Sequence, residues 1–342
     1  MEPGTYTRQE IESQPAAWAA ALDLLRSEYD QILGISPAGK FDQIIYTGCG
    51  STYYLSLAAA ALTQELIGLS CRAFPASELW LRPNASYIAG NSLLVAVSRS
   101  GETTETLRAC ETFRENKRGS LLTLSCYGDM PLAGMGDLNI ILTSGQEQSV
   151  AQTRAFTTLY LGTVALACIW AGRGDLFDSL SRLPEAGRKS IEKYRTLAGE
   201  LGRDPSLDRF YWLGSGPRNG LACELSLKMK EMSLSHSEPF HFMEFRHGPK
   251  AMITPTALAI GLRSESLGRM ESAVFDDVKS LGGQALDMAE KNATVQFQAG
   301  LDELVQNVLY LPVGQMIAFE RSLSKGLNPD LPTNLDPVVK LS

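Results

Sequence analysis

From Phe41 onward the chain alternates short apolar runs with longer stretches whose apolar positions recur at helical spacing. The runs are IIYT, CRAF, SLLVAVS, SLLTLS and LNIIL, and helical stretches cover 51–66, 103–116 and 153–171. Apolar runs of this length, bounded by turn residues, fit strands buried on both faces, and the intervening helices fit the crossovers that parallel strands require. The pattern predicts a doubly wound sheet of about five strands. Ahead of it, Ile11, Trp18, Ala21, Leu22, Leu25 and Ile32 mark Gln9 to Leu33 as an amphipathic helical arm. Behind it, residues 172–206 are more polar, carry Gly and Pro, and predict a helical linker. The strand pattern then restarts. RFYWLGSG leads into a helix over 218–234, ALAIGLRS supplies a further strand, and a helix over 266–281 precedes short strands near 283–288 and 294–298. A closing helix covers 313–325.

An internal repeat joins the two halves. Setting IIYTGCGSTYYLSLAAAALTQEL over FYWLGSGPRNGLACELSLKMKEM aligns Gly48 with Gly214, Gly50 with Gly216 and Glu65 with Glu231, each at an offset of 166. Strand, G-x-G turn and helix thus recur in one register, which implies two related α/β units. The expected division is an N-terminal helical arm (1–35), a first domain (36–175), a helical linker (176–206), a second domain (207–330) and a C-terminal tail (331–342).

Composition narrows the function. The chain has 342 residues, enough for two domains that each bury a core, and its 44% hydrophobic and 20% charged content is that of a globular protein. The start MEPGTYTRQEIESQP lacks the basic head and apolar core of a secretory signal, and no run approaches the ~20 apolar residues of a membrane span, so a cytoplasmic location and no membrane partner are expected. A net charge of −7 with scattered basic residues argues against nucleic acid as a partner. The six cysteines form no CxxC pair and read as reduced, mostly buried small hydrophobes; Cys49 reads as a small residue in a tight turn. The three histidines, His236, His241 and His247, fit no H-x-x-x-H spacing, so no metal is expected. Neither a G-x-x-x-x-G-K-[ST] loop nor G-x-G-x-x-G is present, so no nucleotide or other cofactor is expected.

The candidate chemistry lies in two places. Ser98-Arg99-Ser100-Gly101-Glu102-Thr103 falls between a strand and a helix, where glycine permits a tight turn and Ser98, Ser100 and Thr103 add hydroxyls to the N–H groups of a helix N-terminus. That suits a phosphate monoester, although Ser and Thr also serve simply as helix caps. The turn Gly48–Thr52 belongs to the same sheet edge, so Ser51 and Thr52 can reach the same ligand. In the second half Lys228 and Glu231 share one helical face, which can be an exposed ion pair or a proton-transfer pair.

The segments GCGSTYY, SRSGETTET, SVAQTRAFTT, LSLKMKEMSLSHSE, EFRHGP and GLNPDLPTNL, in order over nearly the whole chain, resemble the double sugar-isomerase (SIS) domain family, in particular the isomerase half of glucosamine-6-phosphate synthase and stand-alone amino-sugar-phosphate deaminases. The resemblance implies two flavodoxin-like doubly wound parallel-sheet SIS domains in tandem after the helical arm, and a homodimer with sites near its interface. It makes Ser51, Thr52, Ser98, Arg99, Ser100 and Thr103 the sugar-phosphate site, Glu231 the catalytic carboxylate, Lys228 its neighbour, and His247 the ring-opening histidine, often delivered by the partner subunit. Glu224, Glu238 and Glu244 fall at other family carboxylate positions. Three departures stand out: no counterpart of the synthase's cysteine-dependent glutaminase domain is expected, Pro337 stands where the synthase has a lysine, and Gln152 replaces a ligand serine. The implied activity is a phosphosugar isomerase/deaminase converting a hexosamine 6-phosphate to a ketose 6-phosphate and ammonia. A deglycase or aldose–ketose isomerase, or a non-catalytic sugar-phosphate sensor, are the alternatives.

Overall fold

The computed structural model describes every residue except Met1, Ala89, Pro337, Lys340 and Ser342. It contains two five-stranded parallel sheets. In the first, β1 (Gln43–Gly48), β2 (Cys71–Pro75), β3 (Ser92–Ser98), β4 (Gly119–Ser125) and β5 (Leu138–Ile141) lie in the order β2-β1-β3-β4-β5. In the second, β6 (Arg209–Gly214), β7 (His236–Phe240), β8 (Ala257–Leu262), β9 (Gln284–Ala289) and β10 (Val295–Gln296) lie in the order β10-β9-β8-β6-β7. Counted from its own first strand, each sheet has the flavodoxin-like order 2-1-3-4-5. Every residue of β1, β3 and β8 is buried, as the near-continuous apolar runs require once helices cover both faces.

One compact unit comprises residues 16–147, 154–181 and 336–342 around the first sheet; the other comprises 1–15, 148–153 and 182–335 around the second. In the first unit the helix Arg154–Trp170 is buried along almost its whole length, in keeping with a sequence that is apolar all round. In the second unit Asp330 accepts hydrogen bonds from the Thr7 N–H (2.8 Å) and hydroxyl (2.7 Å), and Glu10 accepts from the N–H of Gln148 (2.6 Å) and Ser149 (3.2 Å).

Among the elements that differ from the sequence pattern, two stand out. The stretch Gln9 to Leu33 belongs to three helices, Thr5–Glu12, Gln14–Ser27 and Tyr29–Gly34. Pro15 accounts for the first break, since it lacks an N–H and is tolerated only in a helix's first turn. The other difference is β7, HSEPF, too polar to announce itself; among the described residues it is an edge strand paired only with β6, where Pro239 can be accommodated. Among the described residues no helix is long and apolar enough to cross a membrane, and no group of three or more His, Cys, Asp or Glu side chains is placed to hold a metal ion.

The repeat is visible at atomic scale. Gly50 (φ 56°, ψ −122°) and Gly216 (φ 54°, ψ −131°) take the same conformation, which L side chains avoid. A Cβ on Gly48 would lie 2.8 Å from the Thr52 carbonyl carbon, and one on Gly214 would lie 2.3 Å from the Arg218 oxygen. Both glycines are therefore required by the close approach of strand end to helix.

Candidate active site

In the first unit β1 and β3 are paired neighbours, so the turns that follow them leave the same carboxyl edge of the sheet, at its switch point. In the first turn Thr52 Oγ1 accepts from the Cys49 N–H (2.9 Å) and donates to the Cys49 carbonyl (3.0 Å), while Ser51 and Thr52 are both buried. In the second, Gly101 (φ 72°) lets the chain fold back. Ser98 Oγ accepts from the Gly101 N–H (3.1 Å) and Ser100 Oγ from the Glu102 N–H (3.3 Å). Thr103 Oγ1 lies 3.4 Å from Ser98 Oγ and 3.5 Å from Ser100 Oγ.

This arrangement bears on the capping alternative. Thr103 occupies the N-cap of the helix Thr104–Glu115, yet its side chain makes no cap hydrogen bond and is turned toward the two serines. Three hydroxyls thus converge beside a helix N-terminus, each able to donate to an oxyanion. Arg99 lies 3.6 Å from the carboxylate of Glu147, and both side chains are buried. Glu147 escaped the sequence reading because nothing in its spacing ties it to Arg99. Cys49 Sγ lies 3.6 Å from Thr106 Oγ1. Burial, helped by Glu105 and opposed by the Thr106 hydrogen bond, pushes this thiol up to about 11, so it is protonated near neutrality and is no thiolate nucleophile.

In the second unit the helix Pro217–Ser233 carries three charges on one face. Glu224 and Lys228 are fully buried and the Glu231 side chain is 19% exposed. Lys228 Nζ lies 3.4 Å from Glu224 Oε1 and donates a hydrogen bond to Glu231 Oε2. At the same register the first copy has Ala58 and Leu62, both buried, and Glu65, which is exposed. A helix of this fold therefore does not need the charges to form, and burying an ion cluster carries a desolvation cost that alanine and leucine avoid. What the cluster supplies is a solvent-accessible carboxylate fixed by an ammonium, a group able to take and return a proton.

The remaining sequence candidates are dispersed. His236, His241 and His247 are all exposed; His236 lies 3.5 Å from Glu238, and His247 follows the short helix Phe242–Phe245, its N–H bonded to the Glu244 carbonyl (2.9 Å). Glu244 is exposed. Gln152 lies just before the helix Arg154–Trp170, half-buried, with an enclosed Oε1 that has no partner among the described residues. Pro337 lies outside the described residues.

Comparison with known proteins agrees with this architecture. The SIS domain profile matches residues 40–169. The glutamine–fructose-6-phosphate aminotransferase (isomerizing) of Idiomarina loihiensis is 30% identical over 96% of this chain, and that of Methanothermobacter thermautotrophicus 25% identical over 98%. The chain spans 58% of the length of each. Among solved structures, glucosamine-6-phosphate deaminase from Thermotoga maritima superposes with a TM-score of 0.80 at 22% identity, covering 94% of this chain and 100% of that one. Tagatose-6-phosphate ketose/aldose isomerase from Escherichia coli gives 0.84 at 22% identity, covering 97% and 96%. Residues 40–169 are therefore an SIS domain, and the matching sheet order, the repeated glycine turn and the solved structures give the chain the fold of two SIS-type α/β domains in tandem.

Proposed function

We propose that the chain is a phosphosugar isomerase/deaminase that converts a hexosamine 6-phosphate and water to a ketose 6-phosphate and ammonia. The observation that carries this reading is the buried Lys228 between Glu224 and Glu231, charges standing where the other copy of the repeat packs Ala58 and Leu62. A ligand-binding sensor has no need of such a cluster. In this reading Ser98, Ser100 and Thr103, with Ser51, Thr52, Arg99 and Gln152, hold the phosphate and sugar hydroxyls. His247, delivered by the partner subunit of a homodimer, opens the ring to the free aldehyde.

Glu231 then removes the proton at C2 to give an enolamine, with Lys228 opposing the negative charge that develops on oxygen. Return of the proton to C1 leaves a ketimine at C2; water adds there and ammonia departs, giving the ketose. The six cysteines are free thiols, four of them buried, which supports a reducing compartment such as the cytoplasm.

The test is to incubate the purified protein with a panel of hexosamine and hexose 6-phosphates and to assay ammonia and ketose phosphate separately. Ammonia and ketose in equal amounts from a hexosamine 6-phosphate is the expected result. Ketose formed only from an amine-free aldose phosphate would replace deamination with simple isomerisation, and binding without turnover of any member would reject the enzyme.

A further inference from the structure

The second sheet repeats the crevice of the first, and something already occupies it. β6 and β8 are neighbours as β1 and β3 are. The loop after β8 places Ser264 and Ser266 at the same offset of 166 from Ser98 and Ser100. One loop hydrogen bond is duplicated: Ser264 Oγ accepts from the Leu267 N–H at 3.0 Å, as Ser98 Oγ accepts from the Gly101 N–H at 3.1 Å. In the second loop, however, two backbone donors point at one carboxylate oxygen. Glu303 Oε2 accepts from the N–H of Glu265 (2.9 Å) and of Ser266 (3.2 Å).

A buried cation stands at the start of the helix after the neighbouring strand, β6. Arg218 stands at the register of Thr52, is only 5% exposed, and reaches Asn307 Oδ1 at 3.3 Å, while its Nε has no partner among the described residues. Burial raises the Glu303 carboxyl, but the Ser266 and Glu265 hydrogen bonds and the Arg218 charge outweigh it and hold the group below its ordinary value. The turn that carries Glu303 is clamped, since Glu290 accepts from the N–H of Ala299 (3.1 Å) and Gly300 (2.6 Å).

We propose that the second crevice is an anion site of the phosphate-binding type that the chain keeps closed with its own Glu303 carboxylate. Two loop N–H groups and a buried guanidinium need a negative partner, and a built-in one leaves a single open phosphate cradle per chain. The comparison with the first crevice rests on reading that crevice as a phosphate cradle. Removing the plug exposes a site for inorganic phosphate or a phosphate monoester, dependent on Arg218.

The test counts phosphate and glucose 6-phosphate sites calorimetrically in the wild type, in Ser100→Ala/Thr103→Ala, and in each with Glu303→Ala added. Glu303→Ala is expected to add one site in both backgrounds, weakened about tenfold or more by a further Arg218→Met. A folded Glu303→Ala chain that gains no site overturns the proposal. Failure of the first-crevice reading shows separately, as no difference between the wild type and Ser100→Ala/Thr103→Ala. Should the Glu303 variants not fold, the wild type carries the test. The backbone amide resonances of Glu265 and Ser266 should move together as Glu303 is protonated in acid, and amides indifferent to that titration overturn the proposal.

Discussion

At the scale of single residues the proposed chemistry turns on Glu231. Its replacement by glutamine keeps size and hydrogen bonding but removes the base, so turnover should fall by about 10²–10⁴. In heavy water the wild type should place deuterium at C1 of the ketose phosphate and Glu231→Gln should not; near-normal turnover with deuterium uptake in the variant would remove Glu231 from the chemistry. Lys228 offers a second, structural test. Replacing it alone with leucine strands the buried Glu224, and breaking a buried ion cluster from one side costs roughly 3–5 kcal/mol in denaturant unfolding. The double change Glu224→Ala/Lys228→Leu copies the buried Ala58 and Leu62 of the first repeat and should recover most of that stability while remaining inactive. A double variant no more stable than Lys228→Leu would show that the two copies do not pack alike. The K-x-x-E spacing was readable from the sequence because one helix carries both groups. The pairing of Arg99 with Glu147 was not, because the loop that unites them is set by tertiary packing.

At the scale of elements, the strands most legible in the sequence were those buried on both faces, because continuous apolar runs have few other uses. The edge strand β7 was not legible, since its burial is mixed and its pairing to β6 is decided by the neighbour rather than by its own residues. The glycine turns were legible as a repeat, and the structure separates their reasons. Gly216→Ala meets no neighbouring atom but places a side chain at φ 54°, a backbone strain of about 1–3 kcal/mol. Gly214→Ala drives a Cβ to 2.3 Å from the Arg218 carbonyl oxygen, so strand and helix must separate. Unfolding measurements should therefore find Gly214→Ala the more destabilising of the two. The serine loop gives the corresponding functional prediction. Ser100→Ala and Thr103→Ala should each weaken hexose 6-phosphate binding by about 1.5–3 kcal/mol, the worth of a hydrogen bond to a charged group. Unchanged affinity in the folded double variant would return these hydroxyls to a purely local role.

At the scale of the whole molecule, contacts such as those of Glu10 with Gln148 and Ser149 span more than a hundred residues and leave no periodic trace, which is why the sequence pattern gave no sign of the shared unit. The same limit applies to His247. It is exposed in the chain, on a segment that also exposes Met243 and Met252, which is the surface expected of a group that works against a second copy. If His247 acts in the partner's site, His247→Ala and Glu231→Gln should each be nearly inactive alone and should complement when mixed. Random reassortment makes half the dimers mixed, and each mixed dimer contains one site with both residues intact, so the mixture should recover about a quarter of wild-type activity. The recovery should appear only after subunit exchange and should vanish when the two variants are cross-linked as separate homodimers before mixing. If His247 serves its own chain instead, every site in a mixed dimer lacks one group and the mixture stays inactive, a result that would end the proposal of a shared site.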